Sequence, residues 1–200
     1  MNKKILFIFG CGPSLANIDI TKIPINSFIF GCNTNSKIKN INYTHYFVND
    51  INYTKNYSNA KYCSNVYLSK KTIRITGNEI HKKLPVFDGH TEILKIKNRK
   101  NSSDDLSYYV NGYSIINLML QYSLNFEIDE IIISGVDFNY VKIGPKNKLD
   151  YPLVHPRLDL QINTFLEILE KVKKRKTKIF INSKKSLLAS KLNFTEEFNK

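Results

Sequence analysis

Short runs of apolar residues, each ended by glycine, asparagine or another polar residue, recur along the chain. They lie at residues 5–9, 27–30, 44–48, 65–68, 130–134 and 178–182. Most of these runs are continuously apolar instead of alternating, which is typical of parallel strands that are covered on both faces. The pattern therefore predicts a buried sheet of mostly parallel strands.

Two longer segments place their apolar residues at helical spacing. Residues 113–126 and 158–174 each carry a broad apolar face, with apolar side chains recurring every three or four positions. Strands that alternate with helices indicate an α/β fold. Residues 72–76 and 92–96 have the composition of further strands, whereas residues 98–105 form a polar stretch typical of a turn or a mobile segment.

Residues 139–156 form a long loop that contains glycine and proline and has little periodicity. Loops of this length are uncommon in compact domains and often act as lids or binding loops. No internal repeat and no linker divides the chain. We therefore predict a single domain over residues 1–200, with a lid at about 139–156.

The composition fits a folded protein, with 42% hydrophobic and 12% aromatic residues. The formal net charge of +13 favours anionic partners such as nucleotides, nucleic acids or phospholipid headgroups. The same charge has a compositional explanation, because AT-rich coding would enrich lysine, asparagine and isoleucine. Charge alone therefore leaves the kind of partner open.

The three cysteines, Cys11, Cys32 and Cys63, are odd in number and lack CxxC spacing. They predict neither a disulfide framework nor a zinc site, and they indicate a reducing compartment. The first apolar run is shorter than the roughly 7 to 15 residues of a signal-peptide core. No run approaches the roughly 18 residues of a membrane-spanning helix. We expect a cytoplasmic protein, with peripheral contact to the inner membrane as an open alternative.

A glycine turn follows the first apolar run, in the sequence GCGPS at residues 10–14. Ligands of open parallel sheets bind beyond the carboxyl ends of strands. Gly10 and Gly12 permit positive φ and let a phosphate or sugar approach the peptide N–H groups, while Pro13 can begin a helix and Ser14 can cap it. The alternative is a tight turn that binds nothing. The spacing is neither a dinucleotide fingerprint nor a P-loop.

Polar residues also follow the next two predicted strands. Asn33 comes after the second apolar run, and Asn49 comes after the third. Short amides at such positions can hydrogen bond a base or a ribose. Asparagine also simply terminates strands. Three polar strand ends together favour a nucleotide pocket.

Seven motifs in order resemble the bacterial CMP-sialic-acid-dependent sialyltransferases of glycosyltransferase family 42. They are IFGCGPSL, FGCNTN, YFVND, NGYSIINLML, IIISGVDFNY, HPRLDLQINTFLEIL and SKKSLLAS. The resemblance covers most of the chain and is patchy between about 50 and 105. It implies a Rossmann-like three-layer α/β/α fold with a mostly parallel sheet, a single nucleotide-binding domain and a small flexible lid. It also implies an inverting transfer that needs no divalent metal and no cofactor beyond the CMP-sugar donor.

The resemblance assigns roles to particular residues. It places CMP against the turn and the strand ends, at Gly10, Cys11, Gly12, Ser14, Asn33 and Asn49. It places the carboxylate and glycerol side of the donor near Asn111, Gly112 and Ser114. It makes His155 the general base, and it makes Tyr140 and Tyr151 candidates for stabilising the leaving phosphate. The acceptor would be a glycan such as lipooligosaccharide.

The chain departs from the family pattern at two of these positions. Cys11 stands where the family usually has asparagine, and the aromatic residue expected at 139 is displaced to Tyr140. Asp137, in the motif SGVDF, either binds the donor or caps the following turn. These departures put the exact donor in more doubt than the fold or nucleotide binding.

The proposed chemistry is consistent with the residue types. Neutral imidazole, with a pKa near 6.5, suits a base that accepts the proton of an acceptor hydroxyl. A surface histidine in a proline-rich turn is the alternative explanation of His155. No D-x-D motif ends a strand, so tyrosine hydroxyls, backbone N–H groups and the positive field remain to stabilise the leaving phosphate.

Two other classes of protein share some of these features. The glycine turn and the SGVDF motif also occur in motility-associated and pterin-pyrophosphokinase-like proteins, the second of which would require magnesium. The basic charge fits a non-catalytic nucleic-acid-binding domain, but no RNP-like, helix-turn-helix or zinc pattern is present. As the family resemblance implies, we expect a CMP-sugar donor and a glycan acceptor, with no nucleic acid. We also expect a homo-oligomer. The basic run at 170–178 is most simply a solvated helix end.

Overall fold

A computed structural model of the protein describes ten stretches of the chain. They are residues 3–32, 41–49, 70–82, 84, 87–97, 109–110, 112–138, 141–142, 151–152 and 157–200. The strands are β1 Ile5–Phe9, β2 Phe28–Cys32, β3 His45–Val48, β4 Ile73–Gly77, β5 Thr91–Leu94, β6 Ile96–Lys97, β7 Tyr109–Val110, β8 Glu130–Ser134, β9 Val141–Lys142, β10 Tyr151–Pro152, β11 Lys178–Ile181 and β12 Asn193–Phe194. The helices are α1 Asn78–His81, α2 Ile115–Tyr122 and α3 Leu158–Lys173, with 3-10 turns at Pro13–Asn17, Ile20–Lys22 and Ser123–Asn125.

Eight of these strands form one parallel sheet in the order β12-β11-β8-β1-β2-β3-β4-β5. From β1 the chain proceeds outward to β5 and then returns to β8 on the other side of β1. The strand order therefore reverses between β1 and β8. In doubly wound sheets this switch point opens a crevice at the carboxyl ends of the strands, where ligands bind.

The first strand is buried on both faces, as its continuous apolar run predicts. Leu6 and Ile8 belong to the core beneath α2 and α3, whereas Phe7 and Phe9 belong to a second core on the opposite face. All four side chains are fully buried. The α/β fold with a parallel sheet is thus confirmed, and β1 is its central element.

The second helix is shorter than the predicted segment 113–126, for a local reason at each end. Gly112 and Tyr113 have φ of 50° and 63°, so the helix begins only at Ile115. After Tyr122 the chain tightens into a 3-10 turn. The third helix spans 158–173, close to the prediction, and Lys176 at φ 63° follows its end. The predicted strand 65–68 and the polar stretch 98–105 lie outside the described residues.

The two long helices begin at the carboxyl edge of the sheet. Tyr122, the last residue of α2, packs against His45 at the start of β3, with ring centroids 5.7 Å apart. Beyond the end of α3, Arg175 donates to the Leu124 carbonyl and Thr177 Oγ1 donates to the Ile128 carbonyl, both just before β8. The helix ends therefore lie at the amino edge, and the helix starts lie near the switch point.

The predicted lid is described at two places, where β9 and β10 pair antiparallel through Tyr151 and Lys142. The rest of 139–156 lies outside the described residues. Within the described ranges, no helix has both the length and the apolar character needed to cross a bilayer.

His45 gives the fold a measurable response to pH. Its side chain is buried among aromatic rings, with Phe30 at 4.8 Å, and burial lowers its pKa from 6.5 to about 4. Between these two values the unfolded chain binds a proton that the folded chain does not, so stability falls as the pH drops. We expect a His45→Phe variant to lose less stability than the wild type between pH 7 and pH 5.

Urea unfolding at the two pH values measures this difference. Comparison with the variant is needed because the positive net charge of the chain also destabilises it in acid. An identical loss of stability in both proteins would contradict the assignment to His45.

Candidate functional site

Two turns meet at the switch point of the sheet. The glycine turn, residues 10–14, follows β1, and the partner turn, residues 135–137, follows the neighbouring strand β8. The Gly10 N–H donates to the Ser134 carbonyl at 2.8 Å, and the Gly12 N–H donates to the Gly135 carbonyl at 2.7 Å. The strand ladder thus continues into both turns and holds them together.

Glycine is required here by close backbone approach. A Cβ at Gly10 would lie 2.3 Å from the Gly135 oxygen, and a Cβ at Gly135 would lie 2.5 Å from the Gly10 oxygen. Glycine permits positive φ, but neither Gly10 nor Gly12 adopts it. Gly12 is extended at φ −73°, and in this pair of turns the positive φ, 68°, belongs to Gly135.

Ser14 and Asp137 tie the two turns together through side chains. The Ser14 N–H donates to Asp137 Oδ2 at 2.9 Å, and the Gly135 N–H donates to Ser14 Oγ at 3.0 Å. Pro13 begins a 3-10 helix as predicted, but the predicted cap at Ser14 was wrong, because Gly12 is the N-cap and Ser14 lies inside the helix. Asp137 accepts the N–H near the start of that helix instead.

The contact with Ser14 uses only one of the two carboxylate oxygens of Asp137. Its side chain is buried, and within the described part of the chain its Oδ1 has no hydrogen-bond partner. Buried polar atoms are nearly always paired, so this orphan acceptor is a candidate contact for a ligand or a water molecule. The sequence left open whether Asp137 binds the donor or caps the turn that follows it. Its Oδ2 instead accepts from the start of the 3-10 helix at Pro13–Asn17, and donor binding by Asp137 stays a prediction.

Cys11 and Cys32 form a pair of thiols beside the glycine turn. Cys11 is exposed, whereas Cys32 is the last residue of β2 and is buried. Their sulfurs are 4.0 Å apart, and Cys11 Sγ donates to the Cys32 carbonyl at 3.5 Å. The hydrogen bond with Cys11, together with burial, raises the pKa of the Cys32 thiol well above its usual value. Tyr43 closes this side, because a Cβ at Gly31 would lie 2.3 Å from its ring.

Asn49 lies at the same edge, further along the sheet. It directly follows β3 and is half-buried, and its Oδ1 is 2.9 Å from where a Cβ at Gly77 would lie. Gly77 is the last residue of β4, and Gly10 directly follows β1. A glycine at the end of a predicted strand could have identified Gly77 as well, but it was not predicted as a site residue. Asn33 lies outside the described residues.

A second cluster forms where α2 and α3 begin. Gly112 has φ 50°, and a Cβ there would lie 2.5 Å from Thr164 Oγ1. Gln161 Nε2 donates to the Tyr113 carbonyl at 2.9 Å, which holds this strained segment against α3. Ser114 is buried and is the N-cap of α2, without a side-chain capping bond. Gly112 and Ser114 therefore lie at the carboxyl edge of the sheet, where contacts with α3 hold their segment in place.

Arg157 joins the start of α3 to this cluster. Its guanidinium carbon lies 3.8 Å from the centroid of the Tyr113 ring, a distance typical of a cation–π contact. Sequence reasoning predicted neither Arg157 nor Tyr113 nor Gln161 as part of the site. The contact fixes how the segment before α3 meets the segment before α2.

The predicted catalytic side chains are not described, and neither is Asn111, which was predicted to contact the donor. His155, Tyr140 and Asn111 lie outside the described residues, and Tyr151 is described only in its backbone, as part of β10. Their roles remain predictions.

The other three histidines divide between the two edges of the sheet. His45 begins β3 and His90 immediately precedes β5, both at the amino edge, whereas His81 ends α1, which follows β4 at the carboxyl edge. Within the described ranges, His81 Nδ1 is buried without a hydrogen-bond partner. His81 is thus the described histidine on the side of the sheet where the candidate site lies.

The described part of the site lacks the arrangement of side chains that is typical of a metal centre. Among the described residues, no group of three or more histidine, cysteine, aspartate or glutamate side chains is arranged to hold a metal ion. The metal-independent reaction implied by the sequence resemblance remains a prediction.

No family model and no curated protein matches the chain, but solved structures do. The structure of the sialyltransferase CstII from Campylobacter jejuni with CMP-3FNeuAc has a TM-score of 0.56 and 18% identity, covering 98% of this chain and 88% of that one. CstII with a trisaccharide acceptor and CMP has a TM-score of 0.55 and 19% identity over 98% and 88%. Monomeric CstII has a TM-score of 0.56 and 20% identity over 99% and 88%. The protein therefore has the Rossmann-like fold of the CstII sialyltransferases, the fold that the sequence resemblance implied.

Proposed function

We propose that the protein is a CMP-sugar-dependent glycosyltransferase of sialyltransferase type. It transfers a sialic acid or a related sugar from a CMP-activated donor to a hydroxyl of a glycan acceptor. The observation that carries the proposal is the pair of interlocked turns at the switch point, in a fold shared with CstII. The CstII structures were solved with CMP, with a CMP-sugar analogue and with a trisaccharide acceptor.

In this proposal the main role of the glycine turn is to hold the other groups of the donor site in place, and direct binding of the donor is its lesser role. The Gly10 and Gly12 N–H groups already donate to the partner turn. Donor contacts therefore fall to polar groups around them, which are the exposed Cys11 thiol, the amide of Asn49 and the orphan Oδ1 of Asp137. A buried carboxylate oxygen is a strong acceptor for a ribose hydroxyl.

The start of α2 supplies a second, electropositive part of the pocket. The first N–H groups of a helix lack intrahelical partners and attract anions. Ser114 stands directly before this helix at the carboxyl edge, and its side chain makes no capping bond there. The donor's carboxylate is the anion that this end of α2 would meet, with Asn111 and Gly112 beside it.

The transfer itself is an attack by the acceptor hydroxyl on the anomeric carbon. The new C–O bond forms opposite the breaking bond to CMP, so the configuration inverts, and the acceptor's proton passes to the His155 imidazole. Tyr140 and Tyr151 hydroxyls donate to the phosphate as its charge develops, which replaces the role a metal plays elsewhere. Support for His155 comes from chain position, because α3 begins at Leu158 near the switch point.

Calorimetric titration with CMP, CDP, GDP and ATP, each with and without magnesium, tests the proposal. We expect selective binding of CMP that EDTA leaves unchanged. Magnesium-dependent ATP or GTP binding would overturn the proposal in favour of a pyrophosphokinase-like enzyme.

A pair of asparagine variants sharpens this test. Asn49→Ala is expected to weaken CMP binding about five- to tenfold, because one hydrogen bond contributes about 1 kcal/mol. Asn42→Ala is the matched control, since Asn42 is exposed and precedes β3 at the opposite edge. Equal CMP affinity in both variants would place the nucleotide away from the end of β3.

A further inference from the structure

We propose that Cys11 and Cys32 form a redox modification site, at which a hydroperoxide converts the two thiols into a disulfide that weakens donor binding. The predicted effect on CMP rests on the proposed function, whereas formation of the disulfide does not. The two residues stand 21 positions apart in the sequence, and parallel pairing of β1 with β2 brings them together.

The backbone separation suits a disulfide. Ile8 pairs with Phe30, so continuing the register places Gly10 beside Cys32 and Cys11 one residue further along. Neighbouring strands about 4.8 Å apart with a rise of about 3.3 Å per residue give a Cα separation of about 6 Å. Disulfides span Cα separations of about 4.4 to 6.8 Å. The sulfurs, now 4.0 Å apart, need to close by about 2 Å to reach bonding distance.

The two thiols differ in exposure, and this difference sets the order in which they react. Cys11 is exposed and meets the peroxide first, whereas Cys32 is buried behind it. The Cys11 sulfur attacks one peroxide oxygen, the O–O bond breaks, and the product is a Cys11 sulfenic acid and one water or alcohol. The Cys32 sulfur then attacks the Cys11 sulfur, and the S–O bond breaks. The departing hydroxide takes the Cys32 proton and leaves as water.

This sequence balances without a further reactant. Two thiols give up two electrons and two protons, and one hydroperoxide accepts them. Cys32 is well placed for the second step, because its Sγ already lies at hydrogen-bonding distance from both Cys11 and the Phe9 carbonyl. Capture by a neighbouring thiol also protects the sulfenic acid from further oxidation.

Disulfide formation would disturb the two interlocked turns. The bond pulls Cys11 toward β2, away from the partner turn that holds Gly10 and Gly12 through their N–H groups. Tyr43 packs against Gly31 on the β2 side and leaves Cys32 little room to move instead. The glycine turn is therefore the part that shifts, and an exposed thiol is lost from the donor site.

The first experiment asks whether the disulfide forms. A Cys63→Ser chain retains Cys11 and Cys32 as its two cysteines, and it is treated with hydrogen peroxide under native conditions. We expect maleimide labelling to show that both thiols disappear together, and non-reducing peptide mass spectrometry to show one intrachain link that dithiothreitol reverses. A Cys11 sulfinic acid with Cys32 still a thiol would overturn the proposal, as would an interchain dimer.

Single variants in the same background identify the partners. Cys11→Ser is expected to leave the buried Cys32 thiol slow to oxidise, and Cys32→Ser is expected to drive Cys11 past the sulfenic acid. Equal protection of Cys11 with and without Cys32 would overturn the assignment of Cys32 as the resolving thiol.

The second experiment asks what the disulfide does. CMP titration of the Cys63→Ser chain before oxidation, after oxidation and after reduction is expected to show affinity that falls about tenfold or more and then recovers. Equal affinity in the oxidised and reduced forms would overturn the proposed effect on the donor site. A reduced chain that binds no CMP would count against the proposed function, while the thiol measurement would still decide whether the pair forms a disulfide.

Discussion

Replacing His155 with alanine is expected to lower the rate of sugar transfer from a CMP-sialic acid donor by about 10² to 10⁴-fold, the usual contribution of a general base. CMP affinity is expected to stay within about twofold of the wild type, because a base for the acceptor hydroxyl does not hold the nucleotide. Single-turnover transfer and calorimetric CMP titration on the same preparations separate the two effects.

His90→Ala is the matched control, since His90 is exposed and precedes β5 at the amino edge of the sheet. It should retain both transfer and CMP binding. His81→Ala completes the set, because His81 ends α1 at the carboxyl edge. Full activity in His155→Ala combined with a large loss in His81→Ala would contradict the role of His155 and move the base to α1.

The strand and helix pattern was predictable wherever burial alone decides it. β1 and β8 match the predicted runs 5–9 and 130–134, because strands covered on both faces leave a continuous apolar signal. The start of α2 was not predictable from periodicity. Gly112 and Tyr113 adopt left-handed conformations to meet α3, and that contact is made across the fold.

The position of the glycine turn in the fold was predictable, whereas its contacts were not. The sequence indicated that a glycine turn after the first strand marks the site, and the turn does lie at the switch point. The sequence did not reveal that these glycines also approach the backbone of Gly135, more than a hundred residues later in the chain. A turn motif read in isolation does not reveal which other turn packs against it.

The contact between the two cysteines was also not predictable from the sequence. The odd number of cysteines and the missing CxxC spacing predicted no disulfide framework, and Cys11 and Cys32 are free thiols. The spacing did not reveal that their sulfurs lie 4.0 Å apart. Arg157 and Tyr113 likewise meet only because α2 and α3 pack side by side. Sequence spacing reports proximity within one element, whereas these contacts depend on how strands and helices pack across the fold.

Replacing Gly10 with alanine is expected to destabilise the protein by about 1 to 3 kcal/mol, as added methyl groups do in tightly packed interiors. The new Cβ would meet the Gly135 oxygen at 2.3 Å and the Gly135 carbon at 2.8 Å, and neither backbone atom can rotate away. The two turns must separate, which breaks the hydrogen bond from the Gly10 N–H to Ser134. Because this contact shapes the proposed donor site, CMP affinity should fall about tenfold or more.

Urea unfolding and CMP titration measure the two consequences, and Gly89→Ala provides the matched control. A Cβ at Gly89 would lie 2.5 Å from two carbons of the Phe87 ring, a side chain that can turn aside, and 3.2 Å from the Lys70 carbonyl. Gly89 precedes β5 at the amino edge of the sheet, so its substitution should leave CMP affinity unchanged. If the Gly10→Ala variant has the stability and the CMP affinity of the wild type, the two turns are not held in contact. The proposed donor site would then not depend on this contact.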